Sequence, residues 1–483
     1  MKTFHYLLLA LSVALAVTLG ACSDSGNDLL ETIPADAMAI VKIDAESLAK
    51  SAGCKKDGIK WVPGETLGKV LGELTSSEKK KIEDALALLG GIEAKNTFYF
   101  YYDNTPCITA TMLDADRVCD AVKKELGEPE SIEGFDVYDN CVIVRGKQLW
   151  FTNGIEKLKK MLEAAKKNPV GSNKVMGGYL SGDKQTMRIV VNAASVYKNF
   201  GGLVATLPAA STFANAYWCY AINLDGNHAT FRASFKDADG KTLSAAEQMT
   251  PIDPAVAALM PDNPILACAW GKVSDEIMDA MLNNAGPAAR NMLTPYLHAI
   301  NGSAAFGVAA PASFNDLLKP AEWTLTMAIQ YDEKTAGEIL GMTSMLTTMG
   351  KATIEQLADQ QCVTIPDAFG AGKDAKLYAG YINGMLAIST KPISAEHTNG
   401  LAKLSKGQCA VSLIDLPVKG HIAEGFKLPF GLTGTSTAAD ETCIGELTLD
   451  GSDKPVIESI LALAVDKAFQ RNAVETFNKL CEE

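Results

Sequence analysis

One pattern recurs along the 483-residue chain at a spacing of about 225 residues, and it limits the available folds more than any other feature. A Pro-marked turn, Ile33-Pro34-Ala35-Asp36-Ala37, leads into the apolar stretch 38–43, and Met260-Pro261-Asp262-Asn263-Pro264 leads into 265–270. The stretch 107–113 runs into a helix start at Asp114, and 324–329 into another at Asp332. Strand pairs follow at 135–151 and 378–388, and single strands at 189–191 and 411–413. Each set closes on Leu-Asp-Gly, at Leu224-Asp225-Gly226 and Leu449-Asp450-Gly451. Segments that share one order of turns, strands and caps have the same faces to bury. The expectation is an α+β fold of two tandem copies of a module, over residues 31–250 and 255–483. Each copy is expected to be a mainly antiparallel sheet covered by helices. Pro251, Pro254 and Pro261 mark the seam. The opening strands 38–43 and 265–270 are nearly all apolar, so each is expected at the centre of its sheet with cover on both faces. The pattern leaves open whether the two sheets join.

The first copy is the more legible. Residues 76–91 read as a helix with apolar residues at helical spacing, ended by Gly90-Gly91. The block 98–166 reads β-α-β-β-α, with helices at 117–126 and 155–166. Asp225-Gly226 is a strong hairpin signal between strands 217–224 and 228–235. The aromatics Phe98, Tyr99, Phe100, Tyr101 and Tyr102 point alternately to the two faces of one strand. One face is expected to pack in the core, and the other is a candidate platform for a sugar or peptide. Residues 454–479 read as a C-terminal helix.

The N-terminus carries a different kind of information. Lys2 is followed by an apolar run at 6–17 and by Leu19-Gly20-Ala21-Cys22. Charge, apolar run and small residues before the cut are the parts of a secretory signal. The apolar run is too short to cross a bilayer core. A Cys directly after the small residues is the lipobox arrangement, so residues 1–21 read as a lipoprotein signal peptide and Cys22 as the lipidated residue. Two or three acyl chains, at roughly 0.8 kcal/mol per buried methylene, hold a protein stably. Residues 22–30, opening Cys22-Ser23-Asp24-Ser25-Gly26-Asn27-Asp28, read as a flexible acidic tether. The lipobox and the Pro-x-Asp-Ala opening of Ile33 to Ala37 resemble uncharacterised Bacteroidetes lipoproteins built on a domain of unknown function. That resemblance implies a cell-envelope location, anchored to the outer membrane on its periplasmic or surface face, and brings no activity or binding residues.

Charge and chemistry narrow the function by exclusion. Removing Lys2 with the leader leaves 43 basic against 57 acidic residues, a net of −14, which argues against nucleic acid as a partner. Ten of the eleven cysteines remain beside Cys22, none in a C-x-x-C pair, and most lie in apolar runs where a thiol behaves as a small hydrophobe. No Gly-x-Ser-x-Gly or His-x-x-x-His occurs, and His228, His298, His397 and His421 are scattered. Gly370-Ala371-Gly372-Lys373 lacks the Ser or Thr that a phosphate loop requires next, where Asp374 stands. Asp237-Ala238-Asp239-Gly240 lacks the further oxygen ligands of a calcium loop and reads as a turn. No cofactor, metal site or catalytic residue is expected. The reading is a lipid-anchored, non-catalytic binding or assembly module with the membrane and an envelope protein, glycan or peptide as partners. The alternative is an envelope hydrolase whose site gathers residues distant in sequence.

Overall fold

The computed structural model describes residues 29–466 except 59, 77–78, 81–82, 84–85, 87–88, 183–184, 201–214, 245–248, 276–277, 280–281, 283–286, 312–321, 349, 367–373, 395–398, 417–420, 424–425, 428–429 and 440. The leader, Cys22 and most of the expected tether lie outside the described residues. Contacts divide the chain into two compact units. One comprises Met1–Val204, Thr212–Thr242 and Asp453–Asp466, and the other Ala205–Ser211, Leu243–Ser452 and Lys467–Glu483.

In the first unit the strands of the large sheet are β1 (Ala39–Ile43), β2 (Thr97–Tyr102), β3 (Thr105–Thr111), β4 (Glu130–Ile132), β5 (Phe135–Tyr138), β6 (Val142–Arg145), β7 (Gln148–Thr152), β8 (Met187–Asn192), β9 (Tyr217–Asp225) and β10 (His228–Lys236). They pair antiparallel in the order β10-β9-β8-β1-β2-β3-β7-β6-β5-β4. In the second unit they are β11 (Leu266–Trp270), β12 (Ile300–Ala309), β13 (Thr324–Tyr331), β14 (Thr353–Gln356), β15 (Gln360–Ile365), β16 (Ala375–Ile382), β17 (Met385–Ser389), β18 (Ala410–Leu416), β19 (Gly431–Ala438) and β20 (Cys443–Asp450). Their antiparallel order is β20-β19-β18-β11-β12-β13-β17-β16-β15-β14.

The fold class expected from the sequence is corrected here. The chain is not two tandem modules, each with a helix-covered sheet of its own. Twenty strands belong to one large antiparallel sheet that does not close, with strand outweighing helix at 39% to 32%. Hydrophobic periodicity shows which face of a strand is buried, but it does not show where a sheet stops. Any unpaired edge offers N–H and C=O groups that a further strand can satisfy. Among the described residues the expected cover on the second face of the opening strands is only partial. β1 and β11 are internal strands, yet their residues alternate between buried and half-buried or exposed.

The helices form where caps and spacing dictate. Asp114 accepts the Arg117 N–H at 3.1 Å and starts Ala115–Leu126, which buries Val118 and Val122 and stops before Gly127, at φ 88°. Helix Ile155–Lys167 buries Ile155, Leu158, Met161 and Ala165 at spacings of three and four. Asp332 accepts from Thr335 N at 2.9 Å and from Thr335 Oγ1 at 2.7 Å, and starts Glu333–Thr348. Tight turns carry the residues that tolerate positive φ, as at Asp103-Asn104 (43° and 55°) and Asn383-Gly384 (51° and 82°).

The first unit's main core lies on one face of its sheet, where Ile40, Phe98, Phe100, Cys107, Ile143 and Trp150 meet Leu158, Met161, Met176 and Leu180. A second cluster on the opposite face packs Ala115–Leu126 onto Ile108, Ala110, Val142 and Leu149. In the second unit the core side of the sheet presents Ala267, Ala269, Ala305, Ala328 and Ala387 to Ile252, Val256, Leu259, Met260 and Leu401.

Candidate functional site

The open face of the sheet is the candidate site in each unit. In the first unit the aromatic strand divides by parity. Phe98 and Phe100 are 1% and 0% exposed, while Tyr99 and Tyr101 take the other face and are half-buried. Register extends that face sideways. Tyr101, Ala39, Val191, Trp218 and Phe235 stand opposite one another across five strands. Tyr99, Val41, Ile189 and Tyr220 form the adjoining row. Trp218 meets Phe235 edge-on with centroids 6.3 Å apart, and Tyr220 stacks with Phe231 at 5.7 Å. Tyr99 also packs against the cluster under Ala115–Leu126, and burial pushes its hydroxyl above the usual tyrosine range.

The second unit's open face is aliphatic instead. Ile414, Leu266, Val308 and Leu325 form one row, and Cys268, Phe306, Met327 and Ile388 form the next. Leu266, Leu325 and Met327 are 41%, 40% and 40% exposed. Farther along β13, helix Glu333–Thr348 covers Ile329 and Tyr331. The strip ends in a polar margin: Thr390 Oγ1 accepts the Leu325 N–H at 3.0 Å, and Lys391 lies 3.5 Å from Glu322. These residues escape a reading of the sequence because size misleads there. In Thr324–Tyr331 the large side chains at 325, 327 and 329 look like the core face, and the small Thr326 and Ala328 occupy it.

A polar cluster in the first unit holds the last described helix. Thr66 Oγ1 donates to Glu458 Oε1 at 2.7 Å, and Lys454 Nζ donates to Thr66 Oγ1 at 2.7 Å. Helix Val456–Val465, the described part of the expected 454–479 helix, thereby docks beside Glu65–Gly72. Burial, with Glu458 adding to it, pushes the neighbouring Cys54 thiol up to about 11.

The remaining candidates do not converge. His298 Nε2 lies 3.0 Å from Asp279 Oδ1, its one hydrogen-bond partner among the described residues, so no nucleophile joins the pair. His228 opens β10, His421 lies in a short hairpin (His421–Ala423 with Phe426–Lys427), and His397 lies outside the described residues. Asp237 Oδ1 accepts from Asp239 N at 3.0 Å and Lys241 N at 2.9 Å, so its carboxylate serves the turn. Gly370-Ala371-Gly372-Lys373 lies outside the described residues. Among the described residues no cluster of His, Cys, Asp and Glu has the form of a metal site. The nine described cysteines are free thiols, five of them buried. Burial raises Cys107 well above the usual thiol range, and Cys141 and Cys219 to about 11. No helix among the described residues is long and apolar enough to cross a membrane, which says nothing of strands.

Comparison with protein-family models, curated proteins and solved structures finds no match to the chain.

Proposed function

We propose that the protein is a non-catalytic binding or assembly module of the cell envelope, held at the outer membrane by lipid on Cys22. The observation that carries the binding part is the open apolar face, where Leu266, Leu325 and Met327 stand about two-fifths exposed. The largest exposed apolar patch of a typical monomer, a few hundred Å² in area, is often functional. The half-buried aromatic rows of the first unit support the same reading. The lipobox Leu19 to Cys22 supports the anchor.

Site-specific photo-crosslinking in intact bacterial cells tests it, with the probe placed at Tyr101 or Leu325 and, as a control, at the exposed Thr353. Discrete adducts from the two face positions and none from Thr353 are the expected result. An absence of adducts from both face positions would overturn the reading. In parallel, Cys22→Ala is expected to abolish incorporation of radiolabelled palmitate; unchanged labelling would sink the anchor. Among the described residues the hydrolase alternative has the pair His298 and Asp279 to rest on. Ester or peptide hydrolysis that His298→Ala abolishes would put it in place of the binding reading.

A further inference from the structure

The second unit's open strip has a chemistry of its own. Its two rows each cross four strands, about 14 Å at the usual ~4.8 Å strand spacing. No charged side chain stands in either row. A sheet spends its backbone donors and acceptors in the ladder, so its face offers none to a ligand. A sugar or peptide laid there would give up hydrogen bonds to water and find no replacement. A hydrocarbon chain has none to give up. The polar margin at Thr390, Lys391 and Glu322 lies at the Leu325 end of the strip, where the head of an amphipathic molecule would remain in water.

A second copy of the chain is the competing occupant, and area argues against it. Of the eight residues in the two rows only Leu266, Leu325 and Met327 are exposed, each about two-fifths, whereas a stable interface takes about 800 Å² and roughly 20–30 residues from each partner. Resting on the reading of the protein as a binding module, we infer that the strip over β11, β12 and β13 receives the acyl chain of a lipid, with its head group at the Lys391 margin.

Equilibrium dialysis of the full mature chain against radiolabelled palmitate tests this. Met327→Glu and Leu325→Glu place a carboxylate in the strip at positions already two-fifths exposed, and Thr353→Glu serves as a control on β14. Circular dichroism and the thermal midpoint establish that each variant is folded. Saturable binding is expected in the wild type and in Thr353→Glu, with affinity at least tenfold weaker in Met327→Glu and Leu325→Glu. No saturable binding to the wild type, or binding that both strip variants retain in full, would overturn the inference. A dimer that Met327→Glu dissociates, without palmitate uptake, would assign the strip to a second copy and overturn it equally. Palmitate failure with a protein adduct at Leu325 in cells would end the lipid inference and leave the binding reading standing. Failure of the adducts as well would end both.

Discussion

The two units run their strands in one order but place side chains of different size on the buried face of the sheet. In the first, the sheet supplies the bulk: Phe98, Phe100, Ile143 and Trp150 are each at most 1% exposed. In the second, the central strands supply mainly alanines, with larger residues at Ile382, Met385 and Val411, and the segments laid over them add Ile252, Val256, Leu259, Met260 and Leu401. Gly307 shows how close that approach is: a Cβ there would stand 3.0 Å from Pro261 Cδ and 3.2 Å from Met260 Sδ. Strand order therefore decides which face is inside but not which layer provides the volume. Where the inner face is small, the larger residues of the same strands face outward. That is why Leu266, Leu325 and Met327 are exposed while Ala267, Thr326 and Ala328 are buried.

The contrast predicts opposite responses to a change of size. Trp150→Ala removes the largest fully buried side chain and should destabilise by about 3–5 kcal/mol, read as a fall in the urea midpoint. A loss below about 1 kcal/mol would show that the first unit's sheet does not supply its bulk. Ala305→Leu adds volume to the alanine face, where Ala305 is 0% exposed, and should destabilise by about 1–3 kcal/mol through overpacking. If that variant is as stable as the wild type or more so, the close packing of the second unit's core is refuted.

Two buried threonines sharpen the comparison. Thr326 on β13 is hydrogen-bonded to Ser389 at 2.9 Å, whereas Thr109 on β3 is 0% exposed and its hydroxyl has no hydrogen-bond partner among the described residues. Thr326→Val removes this bond but leaves Ser389 Oγ accepting the Lys391 N–H at 3.2 Å, and should destabilise by about 0.5–1.5 kcal/mol. Thr109→Val replaces an unpaired hydroxyl with a methyl group and should be neutral or stabilising. Equal losses in the two variants would remove the distinction.

The smallest effect concerns the two helix caps. Asp114→Ala should destabilise by about 1 kcal/mol. Hydrogen bonds from the Thr335 backbone and hydroxyl hold the Asp332 carboxyl below its ordinary range. A carboxyl lowered by folding adds stability above its unfolded value, near pH ~3.9. It loses that contribution as pH falls through the folded value. Asp332→Ala should therefore differ most from the wild type at neutral pH and converge with it at strongly acid pH. A difference that grows on acidification would contradict the cap.

What the sequence shows and hides follows from the same physics. Caps and turns act over a few residues, so Asp114, Asp332 and Asp225-Gly226 mark element ends that the structure also places there. Parity in the aromatic strand correctly separates Phe98 and Phe100 from Tyr99 and Tyr101. Long-range facts are not written in such signals. Gly431–Ala438 reads Gly-Leu-Thr-Gly-Thr-Ser-Thr-Ala, with no apolar alternation, yet pairs along its whole length with β18 and β20. Its neighbours impose the strand, as β propensity depends on context. The merging of strands into one sheet depends on edges that leave no residue pattern. The open strip stayed hidden because a large side chain in a strand is ordinarily taken as an inward one.

Helix Val456–Val465 has a further consequence, one that concerns time. Ile457 and Leu461 complete a cluster with Ala49, Trp61, Leu67 and Leu71, and Glu458 reaches Thr66 across 392 residues of chain. The ribosome makes the first unit's opening strand, Ala39–Ile43, long before the helix Val456–Val465. At synthesis rates of about 5–20 residues per second, the opening strand waits on the order of half a minute for that partner. A nascent chain released after Ser452 would therefore carry every strand of the first unit and still lack its closing piece. The order of manufacture delays final closure of that unit until Val456–Val465 has been made.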